Sequence, residues 1–515
     1  MNFTLQIIEN MIEYSYKKYF LILIIICSIS ISLKIFFTPF DFPLESQDAL
    51  MYLHQAKQIS IGNLQGIPTA YGWQSVLSFF FTVFPQETDY DYMNLLRSIS
   101  IIISTGTIPA VFFFAKKFVD NRFALLAASF FAFDPNLIEN SIFGISETLF
   151  LFLSILTLNF LFSNNHKLLY VAAIFAGLSL DVRLNGIILI IVTIIVIVTK
   201  PNLSSKNQKI FLTIILISIS ASPFWLQNIE SSGNPFGGFI GIIKNAENSP
   251  PPSMESKLSQ SSINDRFIHG ITEEFKHIFR ISIPFLVLFV PFGLLTIFSH
   301  FNYNNKILFL IIGITLIVSM PIYLRSIEYR NLFLLLPIFS IISVIGLQVI
   351  LKNNNRKNIF IVLLVAGIIL LSWNMLKDRS DYDSLIYSEK DNFGKYLAVN
   401  LEGKIMGDYY VEIARNLPNA QLGIVGKEQL QNDQLKLIGF GPPSNSINDL
   451  MDFAKKYNIT HIIIDDKLDV KSPTLIEIFY DESKFPFLEK IIDSHVEGFN
   501  QINVKVFKIN FDLLK

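Results

Sequence analysis

Four charged side chains, far apart in a chain of 515 residues, carry the chemistry it could perform: Asp48, Glu147, Arg183 and Arg330. Each stands at the end of, or interrupts, an apolar run. Two carboxylates and two guanidiniums are the inventory for moving a group off a lipid phosphate. Arginine holds the phosphate by paired, charge-assisted hydrogen bonds, and a carboxylate takes the proton from an attacking hydroxyl. The stretch Glu45-Ser-Gln-Asp48-Ala-Leu-Met-Tyr52-Leu-His54 places Glu45, Tyr52 and His54 beside Asp48 as candidate substrate contacts. Simpler readings compete. A carboxylate at position 48 or 147 also suits a helix N-terminus, Arg330 at an outer helix end also suits snorkelling, and Arg183 also suits a structural contact with Asp181. Their common membrane face favours function, as does the way Ala176-Gly-Leu-Ser-Leu-Asp-Val-Arg183-Leu-Asn-Gly186 breaks an apolar run over 168–199. A polar break at membrane depth survives only where protein or a water-filled cavity satisfies it.

The elements that must position these groups are membrane helices. Hydrophobic residues make up 51% of the chain and charged residues only 16%, with 49 phenylalanines and a mean hydropathy of +0.47, which excludes an ordinary soluble protein. Apolar runs long enough to cross about 30 Å of hydrocarbon fall near 19–38, 95–115, 123–139, 147–163, 168–182, 184–200, 209–225, 281–300, 306–324, 330–351 and 358–376, about eleven spans. The run Trp73–Phe84 is too short to cross and reads as a re-entrant or interfacial helix. No small-residue cleavage site follows the first span, which reads as an anchor.

Lysines and arginines set the orientation. Lys17, Lys18, Lys116, Lys117, Arg122, Lys200, Lys206, Lys209, Lys352, Arg356 and Lys357 all fall on one side, which is cytoplasmic. The N-terminus is then cytoplasmic, and the first outer loop (39–94), the large loop (226–280) and the tail face outward, in a multi-pass protein of the plasma membrane. The net charge of −1 comes with no basic cluster for nucleic acid. Cys27 is the single cysteine, so no intramolecular disulfide staples the outward part.

Composition changes near Lys377-Asp-Arg-Ser-Asp-Tyr-Asp, dividing the chain into a membrane module (1–377) and a soluble α/β domain (378–515). In the latter, Lys404-Ile-Met-Gly-Asp-Tyr-Tyr, Thr460-His-Ile-Ile-Ile-Asp465 and Ile502–Ile509 read as strands, and Asn448–Tyr457 as an amphipathic helix. The Asp465-Asp466 pair reads as a strand terminator. Asn245–Ser253 is a proline-rich loop.

The ordered motifs of residues 15–350 resemble the GT-C glycosyltransferases, in the branch of protein O-mannosyltransferases and lipid A aminoarabinose transferases. The resemblance rests on Asp48, Tyr52, Ala56, Ile59 and Gly62 in the first outer loop, on Arg97 opening the second span, and on the Lys116–Arg122 turn. It continues through Asp134-Pro135 with Ser146-Glu147, the Gly177…Arg183…Gly186 break, Pro223-Phe-Trp225…Gly233-Asn-Pro235, and Arg330 ahead of Pro337. It implies a GT-C-like polytopic helical fold and a polyprenyl-phosphate sugar as donor. It also implies inverting transfer to a hydroxyl of a protein, lipid or glycan acceptor on the outer face, as in protein glycosylation or cell-envelope assembly. Carried onto this chain, Asp48 is the base and Glu147 a supporting acid. Arg183 and Arg330 bind phosphate, and Arg97 joins Tyr52, Glu45 and His54 among the substrate contacts. The mannosyltransferases usually show adjacent Asp-Glu in the first loop, whereas Ala49 follows Asp48 here. The Trp-Trp-Asp signature of oligosaccharyltransferases is absent, which argues against block transfer to asparagine.

A divalent cation is compatible with the sequence but not required by it, Asp89-Tyr-Asp91 being the nearest pair of acids for one. The rival reading is a transporter or flippase of a lipid-linked or polar substrate, whose sites also use broken helices and intramembrane charge. A receptor merely anchored by its spans is a third. The clustering of polar residues toward one face and the lack of a two-fold repeat favour the transferase.

Overall fold

The computed structural model describes residues 2–44, 46–62, 72–200, 205–237, 240, 263–281, 285–299, 302–323, 329–352, 354–407, 437–438, 446–466 and 473–513. Glu45 and the proline-rich loop 245–253 lie outside the described residues. The chain forms two compact units. The first takes 1–38, 46–85 and 95–376; the second takes 39–45, 86–94 and 377–515.

The first unit is helical. Its elements are α1 (Asn2–Phe37), α2 (Gln47–Ser60), α3 (Gly72–Val83), α4 (Asp89–Ala115), α5 (Asn121–Ala132), α6 (Pro135–Phe143), α7 (Glu147–Leu161), α8 (Leu168–Val182), α9 (Ile187–Thr199), α10 (Lys206–Ser220) and α11 (Ser222–Ser232). They continue as α12 (Ile263–Ile281), α13 (Phe285–Ser299), α14 (Tyr303–Tyr323), α15 (Leu335–Ile350) and the start of α16 (Lys357–Asn400). Among the described residues four helices are long and apolar enough to cross a bilayer, or five if the bent pair α10–α11 is one span, beside six shorter apolar helices. Outward-facing Phe20, Ile24, Leu288, Leu295, Ile317 and Leu363 give these helices the apolar exterior that lipid demands.

Several runs read as single spans are broken, each for a local reason. The run 123–139 splits into α5 and α6 at Asp134-Pro135. Proline takes the first helical turn there, and Asp134 Oδ1 accepts the N–H groups of Asn136 (2.9 Å) and Leu137 (3.2 Å). The run 209–225 bends by 56° between α10 and α11, where Pro223 opens the second helix. The run 330–351 begins as a 3-10 turn, Tyr329–Leu332, before α15. Conversely, the run expected to end at 376 continues as α16 to Asn400, because nothing stops it before Gly403, whose φ is +97°. Trp73, Gln74 and Leu77 of α3 are fully buried, as a packed non-spanning helix requires. Close crossing of α13 and α15 depends on glycine: a Cβ on Gly346 would lie 2.6 Å from the Gly293 nitrogen.

The second unit is a mixed sheet of five strands in the order β2-β1-β3-β5-β4. Its strands are β1 (Lys404–Gly407), β2 (Leu437–Ile438), β3 (Ile459–Asp465), β4 (Leu488–Asp493) and β5 (Val504–Ile509), with helices α17 (Ile447–Lys456) and α18 (Pro473–Tyr480). β1 runs parallel to β2 and β3, while β5 runs antiparallel to β3 and β4. The run Ile462-Ile-Ile464 is buried on both faces. Ile462 and Ile464 pack with Leu450 and Ile478 of the two helices, and Ile463 packs with Phe393 and Leu397 from the C-terminal part of α16. Glu389 on α16 accepts the backbone N–H groups of Asn500 (2.8 Å) and Ile502 (3.0 Å), fixing the loop before β5. In the same unit the Tyr90 hydroxyl and the Asn94 amide donate to the Phe40 carbonyl, and the Phe42 ring lies 5.6 Å from that of Tyr387.

Candidate functional site

The first unit brings the four charged groups together. Asp48 lies in the first turn of α2, behind Ser46, whose hydroxyl accepts the Ala49 N–H at 3.4 Å. Ser46 therefore caps the helix, and the Asp48 carboxylate points elsewhere: its Oδ2 accepts from Arg330 NH1 at 3.0 Å. Glu147 begins α7 after the left-handed Gly144, and only 1% of its side chain is exposed. Its Oε1 lies 2.5 Å from Arg183 NH1 and 3.4 Å from Arg330 NH1. Among the described residues neither Glu147 oxygen has a further hydrogen-bond partner, so guanidinium charge and the N-terminal end of α7 offset the buried carboxylate. Removing one partner from such a buried pair costs about 3–5 kcal/mol.

Arg183 owes its position to the break after α8. Its backbone is extended (φ −151°, ψ 145°), and the 3-10 turn Leu184–Gly186 follows before α9. Gly186 presses on the backbone of Ser179 and Leu180, where a Cβ has no room. Gly72 of α3 stands against the same end, with Val182 N 2.8 Å from where its Cβ would be. From this seat Arg183 NH1 donates to Ser146 Oγ (3.2 Å) and NH2 reaches Asn331 Oδ1 (3.5 Å). Asn185 Nδ2 donates to the Asn331 carbonyl at 3.3 Å, tying the break to the turn that carries Arg330. The competing structural reading, a contact of Arg183 with Asp181, is not met. Asp181 instead accepts the Phe224 N–H at 2.9 Å and caps α11, because the bend at Ala221 leaves that donor without a helical partner.

Tyr52 joins the cluster one turn after Asp48, its hydroxyl 3.2 Å from Ser146 Oγ. Burial pushes this phenol above its ordinary value; Arg183 opposes the shift, and Glu147 and Asp48 add to it. Tyr52 is therefore a neutral hydrogen-bonding group at neutral pH. His54 is not on this face, since two residues turn it roughly 200° around the helix from Tyr52. Arg97 is buried on α4, three residues before Ser100, whose hydroxyl donates to Thr148 at 3.1 Å. Its backbone nitrogen is 3.8 Å from where a Cβ on Gly144 would lie, just ahead of α7, and it is not among the groups that pair with Glu147 and Asp48. Beside Arg330, the Tyr329 ring lies 6.2 Å from His277 of α12, and Glu274 of the same helix accepts from the Ser319 hydroxyl.

Sequence reasoning passed over Asn185 and Asn331 and gave Ser146 no role of its own. Asn331 follows Arg330 directly and Asn185 stands two residues after Arg183, and that nearness at a helix break was the available signal.

Among the described residues no group of three or more His, Cys, Asp and Glu is arranged to hold a metal ion. At Asp48 and Glu147 two guanidiniums already balance the two carboxylate charges. Asp91, in the other acidic pair considered, accepts from the Thr88 hydroxyl at 2.6 Å while Thr88 Oγ1 accepts the Asp91 N–H at 3.2 Å, a reciprocal cap on α4.

Residues 76–226 match the sequence model of the dolichyl-phosphate-mannose–protein mannosyltransferase family. That segment contains Glu147 and Arg183. No curated protein sequence matches the chain. Among solved structures, the oligosaccharyltransferase of Archaeoglobus fulgidus in complex with Zn and sulfate aligns with a TM-score of 0.57 and 13% identity, over 87% of this chain and 68% of that one. ArnT from Cupriavidus metallidurans bound to undecaprenyl phosphate aligns with a TM-score of 0.54 and 10% identity, over 94% of this chain and 97% of that one. The Archaeoglobus fulgidus oligosaccharyltransferase AglB, with an inhibitory peptide and a dolichol-phosphate, gives 0.53 and 12%, over 93% and 73%. At these identities the likeness is one of fold.

Proposed function

We propose that the chain is a membrane glycosyltransferase of the GT-C superfamily, as the match over residues 76–226 and the fold support, and that it transfers a sugar from a polyprenyl-phosphate donor to an acceptor hydroxyl, with inversion, on the outer face of the plasma membrane. One observation carries this reading: a carboxylate on the open side of a cluster that also holds two arginines. The side chain of Asp48 is 41% exposed, whereas those of Arg330, Arg183 and Glu147 are 22%, 18% and 1% exposed. Solvent and substrate therefore reach Asp48 first.

In the proposed reaction Arg330 and Arg183 hold the donor phosphate. The acceptor oxygen bonds to the anomeric carbon from the face opposite the phosphate, and the sugar–phosphate C–O bond breaks with its electron pair leaving on the phosphate. The hydroxyl proton passes to Asp48. Glu147 is assigned a different part from that of supporting acid: buried between the arginines, it holds them at a fixed separation. Ser146 and Tyr52 are assigned the alignment of Arg183. Lipid-phosphate ligands in AglB and ArnT support the donor class, and an acceptor peptide tethered to the Archaeoglobus oligosaccharyltransferase supports a protein acceptor. Residues 1–377 are assigned the chemistry and 378–515, facing outward, the choice of acceptor, with the N-terminus cytoplasmic.

The test is sugar transfer from a panel of labelled polyprenyl-phosphate sugars in membranes carrying the wild type or Asp48→Asn. Loss of about 10²–10⁴-fold in rate is expected of the variant, as for removal of a general base. Equal rates sink the role of Asp48. No turnover of any donor, with uptake or flipping instead, replaces the transferase by the transporter.

A further inference from the structure

Arg330 NH1 is shared by two carboxylates, at 3.0 Å from Asp48 Oδ2 and 3.4 Å from Glu147 Oε1. The two differ in freedom. Glu147 is enclosed, and Arg183 is already committed to Glu147, Ser146 and Asn331. The four formal charges cancel, so an arriving phosphate meets net positive charge only if a carboxylate gives way. Asp48 alone has open space beside it.

We propose that Asp48 is the resting occupant of the phosphate position on Arg330, and that donor binding exchanges one anion for the other. The inference rests on the phosphate-donor reading above and adds an order of events. Until the donor arrives, the carboxylate that would accept the hydroxyl proton is tied to Arg330. Donor phosphate takes over the guanidinium and frees Asp48 toward the acceptor. With Asp48 displaced, Arg183, Arg330 and Glu147 leave one net positive charge facing the phosphate. Transfer moves the proton to Asp48 and leaves the lipid phosphate with one more negative charge. When Asp48 loses that proton to water, the restored carboxylate competes for Arg330 and favours release of the spent lipid. The same ion pair thus couples donor loading to base release and proton loss to product departure.

Competition of this kind has a signature opposite to that of a simple ligand contact. An occupied site binds with its intrinsic dissociation constant divided by the fraction that is vacant, so removing the competitor tightens binding. The experiment titrates undecaprenyl phosphate into the full-length protein in phosphatidylcholine nanodiscs, for wild type, Asp48→Asn, Asp48→Ala, Arg330→Gln and the Asp48→Asn/Arg330→Gln double variant, each checked by thermal unfolding. Both Asp48 variants are expected to bind about three- to tenfold more tightly than wild type. Arg330→Gln is expected to bind more weakly, and the double variant to match Arg330→Gln. Unchanged or weaker binding by both Asp48 variants, with normal unfolding, overturns the exchange and leaves the transfer reading to its own assay. Tightening that persists without Arg330 also overturns it, because Asp48 would then act by general repulsion. If the wild type shows no saturable binding, the exchange and the phosphate-donor reading fall together.

Discussion

Arg183 makes contacts that only a guanidinium can make at once: Glu147 at 2.5 Å, Ser146 at 3.2 Å and Asn331 at 3.5 Å. Lysine keeps the charge but is a single point on a flexible stem, so it satisfies Glu147 and loses the forked reach. Arg183→Lys is therefore expected to lower the transfer rate by about tenfold or more while disturbing the melting temperature little, since Glu147 keeps a cation. A loss of stability larger than the loss of rate in paired melting and transfer assays counts against this division of labour. At this scale the sequence is informative for a physical reason. Asp48, Glu147, Arg183 and Arg330 are charges at the ends or breaks of apolar runs, where charge is expensive and stands out. Asn185 and Asn331 bear no charge and sit among many other asparagines, so only their nearness to Arg183 and Arg330 marks them. His54 was drawn in by nearness along the chain, which ignores the turn of the helix.

Helix breaks, more than helices, place the site. The α8–α9 break sets Arg183 in extended backbone, the α6–α7 turn at Gly144 starts the helix headed by Glu147, and the 3-10 turn after residue 328 presents Arg330. Gly186 is the joint closed by backbone, its missing side chain filled by the main chain of Ser179 and Leu180. Gly186→Ala must push α8 and α9 apart, at an overpacking cost of roughly 1–3 kcal/mol. A lower melting temperature and weaker transfer are expected together, because Arg183 rides on the joint. Unchanged values of both would show that the joint yields without moving the guanidinium. Breaks are also where hydropathy misleads. An averaging window sees apolar content over 123–139 and 209–225 but not the proline and aspartate that end one helix and cap the next. Past residue 376 it sees mostly charged and polar residues, although the chain meets no proline before Gly403.

At the scale of the whole molecule, the helical unit and the sheet unit answer to different forces, lipid in one and water in the other. In the sheet, His461 is buried on β3 with Lys508 opposite on β5. Burial, and then the lysine's charge, hold its imidazole below the ordinary value of 6.5. The folded state thus binds fewer protons than the unfolded one. Its contribution to stability is present above pH 6.5 and is lost as pH falls from there through the folded value. Hydrogen exchange of the full-length protein is expected to show β3 amides opening more readily at pH 5 than at pH 7.5, with the difference reduced in His461→Gln. An equal pH response in that variant would assign the effect to other groups. The α/β character of this unit was legible from alternating and continuous apolar runs, but its recruitment of residues 39–45 and 86–94 was not, since contacts across nearly 300 residues leave no local pattern. That recruitment sets a timetable for biogenesis. The two loop pieces emerge early, and their partners are encoded last, so at ordinary synthesis rates they wait roughly 20–90 s. During that interval α5–α15 of the helical unit are made, and both pieces depend on chaperones or on their own solubility until the ribosome finishes.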